Sequence, residues 1–300
     1  MNFNYLLDKI ESATFKNHPF KHIFIKNFFN NPHFEEIINS PEVKIQNSSN
    51  DSQLFKLLED QKYNIINFPG CINNSKKYIK WHKTKKKNHL INTSCEGFGI
   101  TLRLNNPKNI LLRKIMKFIN QKDFMHLLSE KFEINLNDVY YSGGIQKYLD
   151  GYEISPHPDV RRKALTYMIN INPDPNSDKK NHHTHYLNFK PNYNYIYEFW
   201  NGNPKIDRCW VPWDWCETKK IQSENNSLVI FSPDDNTMHG VKTNYNHLSN
   251  QRTQIYGNLW FNQNESILGP KWEDFLIQNN NNKDLVGFEK LKSFFLKRFH

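Results

Sequence analysis

The stretch Tyr148–Asp159, YLDGYEISPHPD, carries the pattern from which the rest of the chain can be interpreted. His157 and Asp159 are two metal-ligand types separated by a single residue. In an extended strand, residues i and i+2 point to the same face of the sheet, so both side chains can reach one metal ion. The stretch therefore predicts a strand that contributes two ligands to a metal site. The competing interpretation is a surface turn, because His-x-Asp arises readily in a chain with 13 histidines.

A third ligand is expected from His239, in SPDDNTMHGV, which follows the apolar predicted strand Leu228–Phe231. Two imidazoles and one carboxylate on one face of an ion form the facial triad of non-haem Fe(II) sites, which leaves coordination positions open. Arg252 stands thirteen residues after His239. Its planar fork matches carboxylate geometry and suits a dicarboxylate co-substrate such as 2-oxoglutarate.

The motifs occur in an order that is more specific than any one of them. Tyr148, Gly151, Pro156, His157 and Asp159 form Y-x-x-G-x-x-x-x-P-H-x-D. With SGGIQKYLDGYEISPHPD, LTYMININ, NSLVIFSPDDNTMHGV and QRTQIYGNLWF, the chain resembles the Fe(II)/2-oxoglutarate-dependent oxygenases, near their prolyl-hydroxylase-like branch. The resemblance covers roughly Pro19–Phe261.

The resemblance implies a fold, a reaction and a set of site residues. The fold is mainly β with flanking helices: a double-stranded β-helix, that is, a cupin-like jelly roll. His157, Asp159 and His239 would be the catalytic residues that hold Fe(II), and Arg252 and Tyr148 would bind the co-substrate 2-oxoglutarate. With O2, and with ascorbate as a candidate stimulant, the enzyme would hydroxylate an aliphatic C–H of a small molecule, peptide side chain or glycan. Succinate and CO2 would be released.

The same resemblance and the hydrophobic periodicity divide the chain into three parts. Residues 1–137 would supply N-terminal strands and supporting helices of the same domain, 138–262 the catalytic double-stranded β-helix, and 263–300 a C-terminal helical tail. Arg252 is expected on a strand, Gln251–Phe261, beside the strand that carries His239. Its buried guanidinium would be held by a hydroxyl such as that of Tyr148, a buffer anion or water.

A net charge of +10 and a pI of about 9.2 raise the possibility of a nucleic-acid partner. The densest basic run, Lys76–Lys87, contains Tyr78 and Trp81 and could stack bases, or it could be a solvated, irregular loop. The alkylation-repair demethylases of the same superfamily carry a second Arg six residues after the first, where this chain has Asn258. We therefore expect a compositional origin for the charge and no nucleic-acid partner, and we keep demethylation as the alternative reaction.

Other features bound the setting of the protein without identifying a substrate. The four cysteines show no CxxC spacing, so a zinc knuckle or a thioredoxin-type site is not expected, and so few cysteines over 300 residues are typical of a reducing compartment. The N-terminus, MNFNYLLDKIESATFKN, lacks an unbroken apolar core, and no apolar run approaches the length of a transmembrane helix, so a cytoplasmic protein without a membrane partner is expected. The oligomeric state stays open. A non-catalytic metal-binding jelly roll is the alternative to an enzyme.

Two further clusters were open to more than one interpretation. Trp210, Trp213 and Trp215, in CWVPWDWC, could form an aromatic wall for a sugar, a proline ring or a base, or could be ordinary packing. The sequence NHHTH at Asn181–His185 could bind a metal or could be an exposed insertion.

Overall fold

The computed structural model describes residues 3–84 and 94–263, and its centre is a pair of facing antiparallel sheets. The large sheet has seven strands in the order β1-β9-β6-β11-β4-β3-β2, and the small sheet has four in the order β5-β10-β7-β8. The strands are β1 Ile23–Ile25, β2 Asn64–Ile65, β3 Thr101–Leu104, β4 Val139–Tyr148, β5 Glu153–His157, β6 Lys163–Asn170, β7 Thr184–Phe189, β8 Cys216–Ile221, β9 Leu228–Phe231, β10 His239–Lys242 and β11 Arg252–Phe261.

From β4 onward the chain passes repeatedly between the two sheets, which is the connectivity of a jelly roll. Strands β4, β6, β9 and β11 belong to the large sheet, and β5, β7, β8 and β10 to the small one. The predicted double-stranded β-helix is thereby confirmed. Strands β1–β3 extend the large sheet on both sides, so the N-terminal strands join the same sheet as the core strands. The proposed division at 137/138 stays a prediction.

Helices pack on the outer face of the large sheet, except for the last one described, which packs against β7 and β8 of the small sheet. They are α1 Asn4–Ser12, α2 Asn31–Asn39, α3 Asp51–Asp60, α4 Ser75–Thr84, α5 Ile110–Ile119, α6 Lys122–Lys131 and α7 Tyr195–Gly202. Leu165, Tyr167 and Ile169 of β6 share one buried apolar cluster with side chains of α1–α3, α5 and α6. This cluster is the main core, and it supports the large sheet from behind. None of the helices in the described part of the chain has the length and apolarity that a membrane span requires.

In β11, the side chains that point toward the small sheet include three polar ones. In β11, Ile255 and Leu259 belong to the outer core, so Arg252, Gln254 and Asn258 point to the inner side. All three polar side chains are at most 2% exposed. The space between the sheets is therefore lined with buried hydrogen-bonding groups on this side.

The basic run Lys76–Lys87, for which a solvated, irregular loop was one interpretation, is helical over the part that the structure describes. It contains most of α4, whose residue Tyr78 is fully buried and donates a hydrogen bond to the carbonyl of Asp150 at 2.8 Å. The N-cap of α5 is Asn109, and its side chain accepts from the N–H of Leu112. The predicted C-terminal helical tail, apart from residue 263, and the Lys85–Lys87 end of the basic run lie outside the described residues.

Candidate metal centre

Three predicted ligands converge at one end of the small sheet. His157 is the last residue of β5 and His239 the first of β10, and the two are direct cross-strand partners. Their ring centroids lie 4.3 Å apart. The Nε2 atoms of His157 and His239 lie 3.4 and 3.8 Å from the two carboxylate oxygens of Asp159. One ligand atom from each residue lies within 4.8 Å of the others, a spacing that fits a single ion.

The backbone reason given by the sequence pattern was wrong, although the ligand set it selected does converge. Strand β5 ends at His157, so Asp159 is not the next same-face residue of an extended strand. Asp159 has φ +65°, in the left-handed region that residues other than glycine visit infrequently. This conformation belongs to the turn after β5, and Asp159 reaches the two imidazoles from that turn.

Both imidazoles have a defined tautomer that suits metal binding. Nδ1 of His157 donates to the carbonyl of Ser155, and Nδ1 of His239 donates to the carbonyl of Thr237, each at 2.9 Å. With the proton on Nδ1, each Nε2 keeps its lone pair and faces Asp159. Burial, assisted by the neighbouring His157, lowers the pKa of His239 to about 3, so this ring is neutral at physiological pH.

The carboxylate of Asp159 is oriented by two residues of β6. Lys163 Nζ lies 2.6 Å from Oδ1, and the Thr166 hydroxyl donates to Oδ2 at 2.8 Å. Burial raises the pKa of Asp159, but the charge of Lys163 and, after it, the interactions with the two histidines outweigh burial and hold the pKa well below its usual value. Asp159 is therefore a fixed anion beside the rings of His157 and His239. This donor set fits Fe(II) in a facial arrangement.

Arg252 lies in the same interior but on the other sheet. It is the first residue of β11, whose neighbours are β4 and β6, so the prediction that its strand lies beside that of His239 was wrong. The guanidinium is 2% exposed and Nη2 donates to the Thr184 hydroxyl at 2.7 Å. Within the described part of the chain Nη1 has no hydrogen-bond partner, and no carboxylate pairs with the guanidinium.

Tyr148 is the cross-strand partner of Arg252, but it uses its ring rather than its hydroxyl. The guanidinium carbon lies 4.5 Å from the centre of the Tyr148 ring, in a cation–π contact. The hydroxyl instead lies 2.7 Å from the side-chain amide of Gln146. The hydroxyl that binds Arg252 is therefore that of Thr184 and not that of Tyr148, whose ring packs against the guanidinium.

Several functional neighbours were missed by sequence reasoning. Lys163 and Thr166 orient the metal-binding carboxylate, Thr184 holds Arg252, and the side-chain amide of Asn258 lies 2.9 Å from the Thr166 hydroxyl. The available signal was alternation along LTYMININ, which places Thr166 on the face opposite Leu165 and Tyr167. Asn258, noted only as a departure from the demethylase motif, belongs to the network around the metal ligands.

The tryptophans and the His182–His185 cluster take separate places. Trp210 lies beside His157, with ring centroids 6.4 Å apart, whereas Trp213 packs over Gly240 and Trp215 stacks on Tyr193 at 5.0 Å. The three do not form one wall. In the His cluster, Nε2 of His183 bonds to the carbonyl of Ser177 at 2.8 Å, and this cluster is not one of the two potential metal-binding groups within residues 3–84 and 94–263.

The second potential metal-binding group within the described residues is Asp51, His82 and His247. Asp51 contacts His82 Nδ1 at 2.7 Å and His247 Nε2 at 2.8 Å, and His82 Nε2 contacts Asp150 at 3.0 Å. The N–H of Asp150 donates to Nδ1 of His247 at 3.3 Å. Each ring nitrogen thus has a partner, and the group links α3, α4 and the loop before β11 as a hydrogen-bonded network.

Comparison with known proteins gives structural likenesses only. No protein-family profile matches the chain, and no curated protein matches it. A prolyl hydroxylase from Trichoplax adhaerens, in complex with a hypoxia inducible factor peptide fragment, aligns with a TM-score of 0.42 and 15% identity over 86% of this chain and 89% of its own. A prolyl-4-hydroxylase from Pseudomonas putida aligns with a TM-score of 0.41 and 7% identity over 87% of this chain and 100% of its own.

A third structure, an oxidoreductase of the 2OG-Fe(II) oxygenase family from Burkholderia pseudomallei, aligns with a TM-score of 0.29 and 10% identity over 56% of this chain and 70% of its own. The first two structures bear the name of the branch, and the third the name of the superfamily, that the sequence motifs resemble. At these identities and TM-scores the likenesses do not identify the reaction. The geometry around His157, Asp159 and His239 has to support any function assigned to this chain.

Proposed function

We propose that this chain is an Fe(II)- and 2-oxoglutarate-dependent dioxygenase that hydroxylates an aliphatic C–H of a small molecule, peptide side chain or glycan. One observation carries the proposal. A buried cluster of two imidazoles and one carboxylate faces the same interior as Arg252, a buried cation whose Nη1 has no hydrogen-bond partner among the described residues. The first element suits a metal with open positions, and the second suits a distal carboxylate.

Each residue around the ion would have its own role in binding. His157 and His239 would coordinate the ion through Nε2, because their Nδ1–H groups donate to backbone carbonyls. Asp159 would supply the anionic ligand, held by Lys163 and Thr166 so that its oxygens do not turn away. Partners of this kind in the outer shell tune ligand orientation and metal affinity.

The chemistry itself would come from the bound group. Iron(II) with 2-oxoglutarate and dioxygen supplies oxidation of C–H to C–OH, one oxygen atom entering the product and the other entering succinate as CO2 is lost. The protein's part is to hold the co-substrate and to exclude water. Arg252 would bind the distal carboxylate in a charge-assisted pair inside a region where solvent is scarce, which strengthens the interaction.

The arrangement favours an enzyme over a jelly roll that only binds metal. A buried donor of a charged group without a partner costs free energy, and a ligand carboxylate would supply the partner that Nη1 of Arg252 lacks among the described residues. A structural metal site needs no such cation. Tyr78 does not support the nucleic-acid alternative. This residue of α4 points into the core, is fully buried and cannot stack on a base.

The proposal is tested by binding and by turnover. Anaerobic addition of 2-oxoglutarate to the Fe(II) protein should produce a charge-transfer absorbance, and admission of air with ascorbate should produce succinate. His239→Ala should remove both signals, since it removes a ligand. His185→Ala is the matched control: this histidine packs near Trp213, with ring centroids 5.6 Å apart, and is not part of the ligand cluster.

A candidate substrate is then recognised by a gain of one oxygen atom in its mass. If the protein binds Fe(II) through His239 but gives no absorbance change and no succinate with 2-oxoglutarate, the dioxygenase proposal is wrong. A non-catalytic metal-binding jelly roll would then remain.

A further inference from the structure

A short segment, Asp207–Val211, runs along the metal ligands in an antiparallel direction. The N–H of Val211 donates to the carbonyl of Pro156 at 2.9 Å, and Nε of Arg161 donates to the carbonyl of Ile206 at 2.9 Å. These two bonds tie the two ends of the segment to Pro156 and Arg161, on either side of His157 and Asp159. Between these two points the ring of Trp210 lies beside that of His157, with centroids 6.4 Å apart. The segment therefore forms a wall next to the metal ligands.

Two polar groups on this wall are buried and have no hydrogen-bond partner among the described residues. They are Nε of Arg208 and Nε1 of Trp210. Arg208 is only 4% exposed, so water does not readily replace the missing partner. Both groups are donors and neither can accept, so their common need is an acceptor. Leaving such donors empty in a buried place is costly, and the cost is larger for a charged group.

The acidic groups nearby do not meet this need. Nη1 of Arg208 lies 3.6 Å from Oδ1 of Asp235, and the same oxygen lies 3.0 Å from Nη2 of Arg161. Two guanidinium groups thus compete for one carboxylate. Asp159 is taken by Lys163 and Thr166, and an oxygen of Asp207 accepts from the N–H groups of Arg161 and Arg208.

We propose that Arg208, assisted by Nε1 of Trp210, binds an anionic group on the primary substrate. The substrate class would be molecules with a carboxylate or a phosphate close to the C–H that is oxidised. The inference rests on the proposed function, which it deepens by naming a recognition element. This anion site differs from that of Arg252. Arg252 is on the large sheet, whereas the segment Asp207–Val211 lies beside the end of β5, a strand of the small sheet.

The first experiment uses simple anions on the protein loaded with Fe(II) and saturated with 2-oxoglutarate under anaerobic conditions. Inorganic phosphate and acetate are titrated separately, and the charge-transfer absorbance and tryptophan fluorescence are recorded. The two anions distinguish a phosphate from a carboxylate preference. Saturation with 2-oxoglutarate keeps the Arg252 site filled. Wild-type protein should bind at least one of the two anions with a saturable response.

The variants separate recognition from structure. Arg208→Gln should weaken anion binding at least about tenfold, because a hydrogen bond to a charged group is lost. Arg208→Lys should restore part of the affinity, since it restores charge without the planar fork. Trp210→Phe keeps the ring, removes Nε1 and should weaken binding by a smaller factor. Arg162→Gln is the matched control, because the side chain of Arg162 is 48% exposed.

Substrate pairs give an independent readout. Carboxylic acids and their primary amides on the same carbon skeleton are compared for stimulation of succinate formation, and only the acids should stimulate wild-type protein. Loss of that preference in Arg208→Gln, with unchanged 2-oxoglutarate affinity, supports the inference. Equal anion binding in wild type and Arg208→Gln overturns it, as does equal stimulation by acids and amides. A missing charge-transfer absorbance in wild type would instead count against the dioxygenase function itself.

Discussion

Replacement of Arg252 by alanine tests the co-substrate site most directly. The guanidinium is almost completely buried, stacks over the Tyr148 ring and uses Nη2 on Thr184, while Nη1 has no partner among the described residues. A carboxylate that enters this place can accept from Nη1, and from Nη2 in a bidentate pair. Arg252→Ala removes the cation and both donors but leaves the metal ligands in place.

The expected magnitude follows from these contacts. A hydrogen bond to a charged group contributes about 1.5–3 kcal/mol. Loss of the Nη1 bond alone therefore weakens 2-oxoglutarate binding by at least about tenfold, since about 1.4 kcal/mol corresponds to one decade. Arg252→Lys should recover only part of the loss, because an ammonium cannot reproduce the fork. Thr184→Val should cost less than Arg252→Ala, because it leaves the cation present.

The assay is a titration of the Fe(II)–2-oxoglutarate absorbance in each variant, with Fe(II) affinity measured separately. Fe(II) affinity should be nearly unchanged in Arg252→Ala, because Arg252 is not in the ligand cluster. Arg162→Ala controls for the loss of an arginine at a solvent-exposed position. If Arg252→Ala binds 2-oxoglutarate as tightly as wild type, another residue anchors the carboxylate and the reasoning from the unpartnered Nη1 fails.

Three further predictions concern the metal ligand, the core and acid stability. Thr166→Val removes the hydroxyl that donates to Asp159 and should lower Fe(II) affinity about 10–100-fold in a metal titration; unchanged affinity would show that this bond does not orient the carboxylate. Gly257→Ala would place a Cβ 2.4 Å from the ring of Tyr167, and the resulting overpacking should reduce the free energy of unfolding by about 1–3 kcal/mol in a denaturant titration, whereas wild-type stability would indicate that the ring can move aside. Burial raises the pKa of Asp51, but hydrogen bonds from two histidines outweigh it and lower the pKa below its ordinary value of 3.8, so its stabilising effect is present above that pH and is lost as the pH falls. Asp51→Asn should flatten the acid side of the stability–pH curve, and an unchanged curve would contradict the assigned role.

The ligand residues could be predicted because their types and their order along the chain can be recognised without knowing the conformation of the turn between His157 and Asp159. The conformation of that turn could not, because a left-handed aspartate leaves no mark in a His-x-Asp pattern. Strand alternation predicted that the side chains of His157 and Asp159 meet, and they do, but Asp159 reaches the site from a turn and not from an extended strand. Asp159 leaves the strand and is held from β6 by Lys163 and Thr166, contacts that depend on the tertiary fold.

The sheet that carries Arg252 was predicted wrongly because proximity in sequence was taken for proximity in the sheet. In a jelly roll, successive strands often lie in opposite sheets, and β10 and β11 do so here. The two halves of the proposed site, the ligand histidines and the arginine, therefore face each other across the interior. The helix α4 was not predicted because its sequence is rich in lysine and has little apolar periodicity. The burial of Tyr78 depends on tertiary contacts that the sequence does not show.

The interior row of β11 supports a binding chamber more strongly than any single residue does. Arg252, Gln254 and Asn258 are all buried on the inner side, and Gln254 donates to the side chain of Asn170 at 2.8 Å. A jelly roll that only had to fold would gain more free energy from apolar side chains at these positions, because burial of polar groups is favourable only when they are fully paired. Among the described residues the row is paired at Gln254 Nε2 and at Asn258, whereas Gln254 Oε1 and Arg252 Nη1 have no hydrogen-bond partner. That pattern fits a chamber whose lining is paired only in part within the protein, with the donor of Arg252 left for a carboxylate.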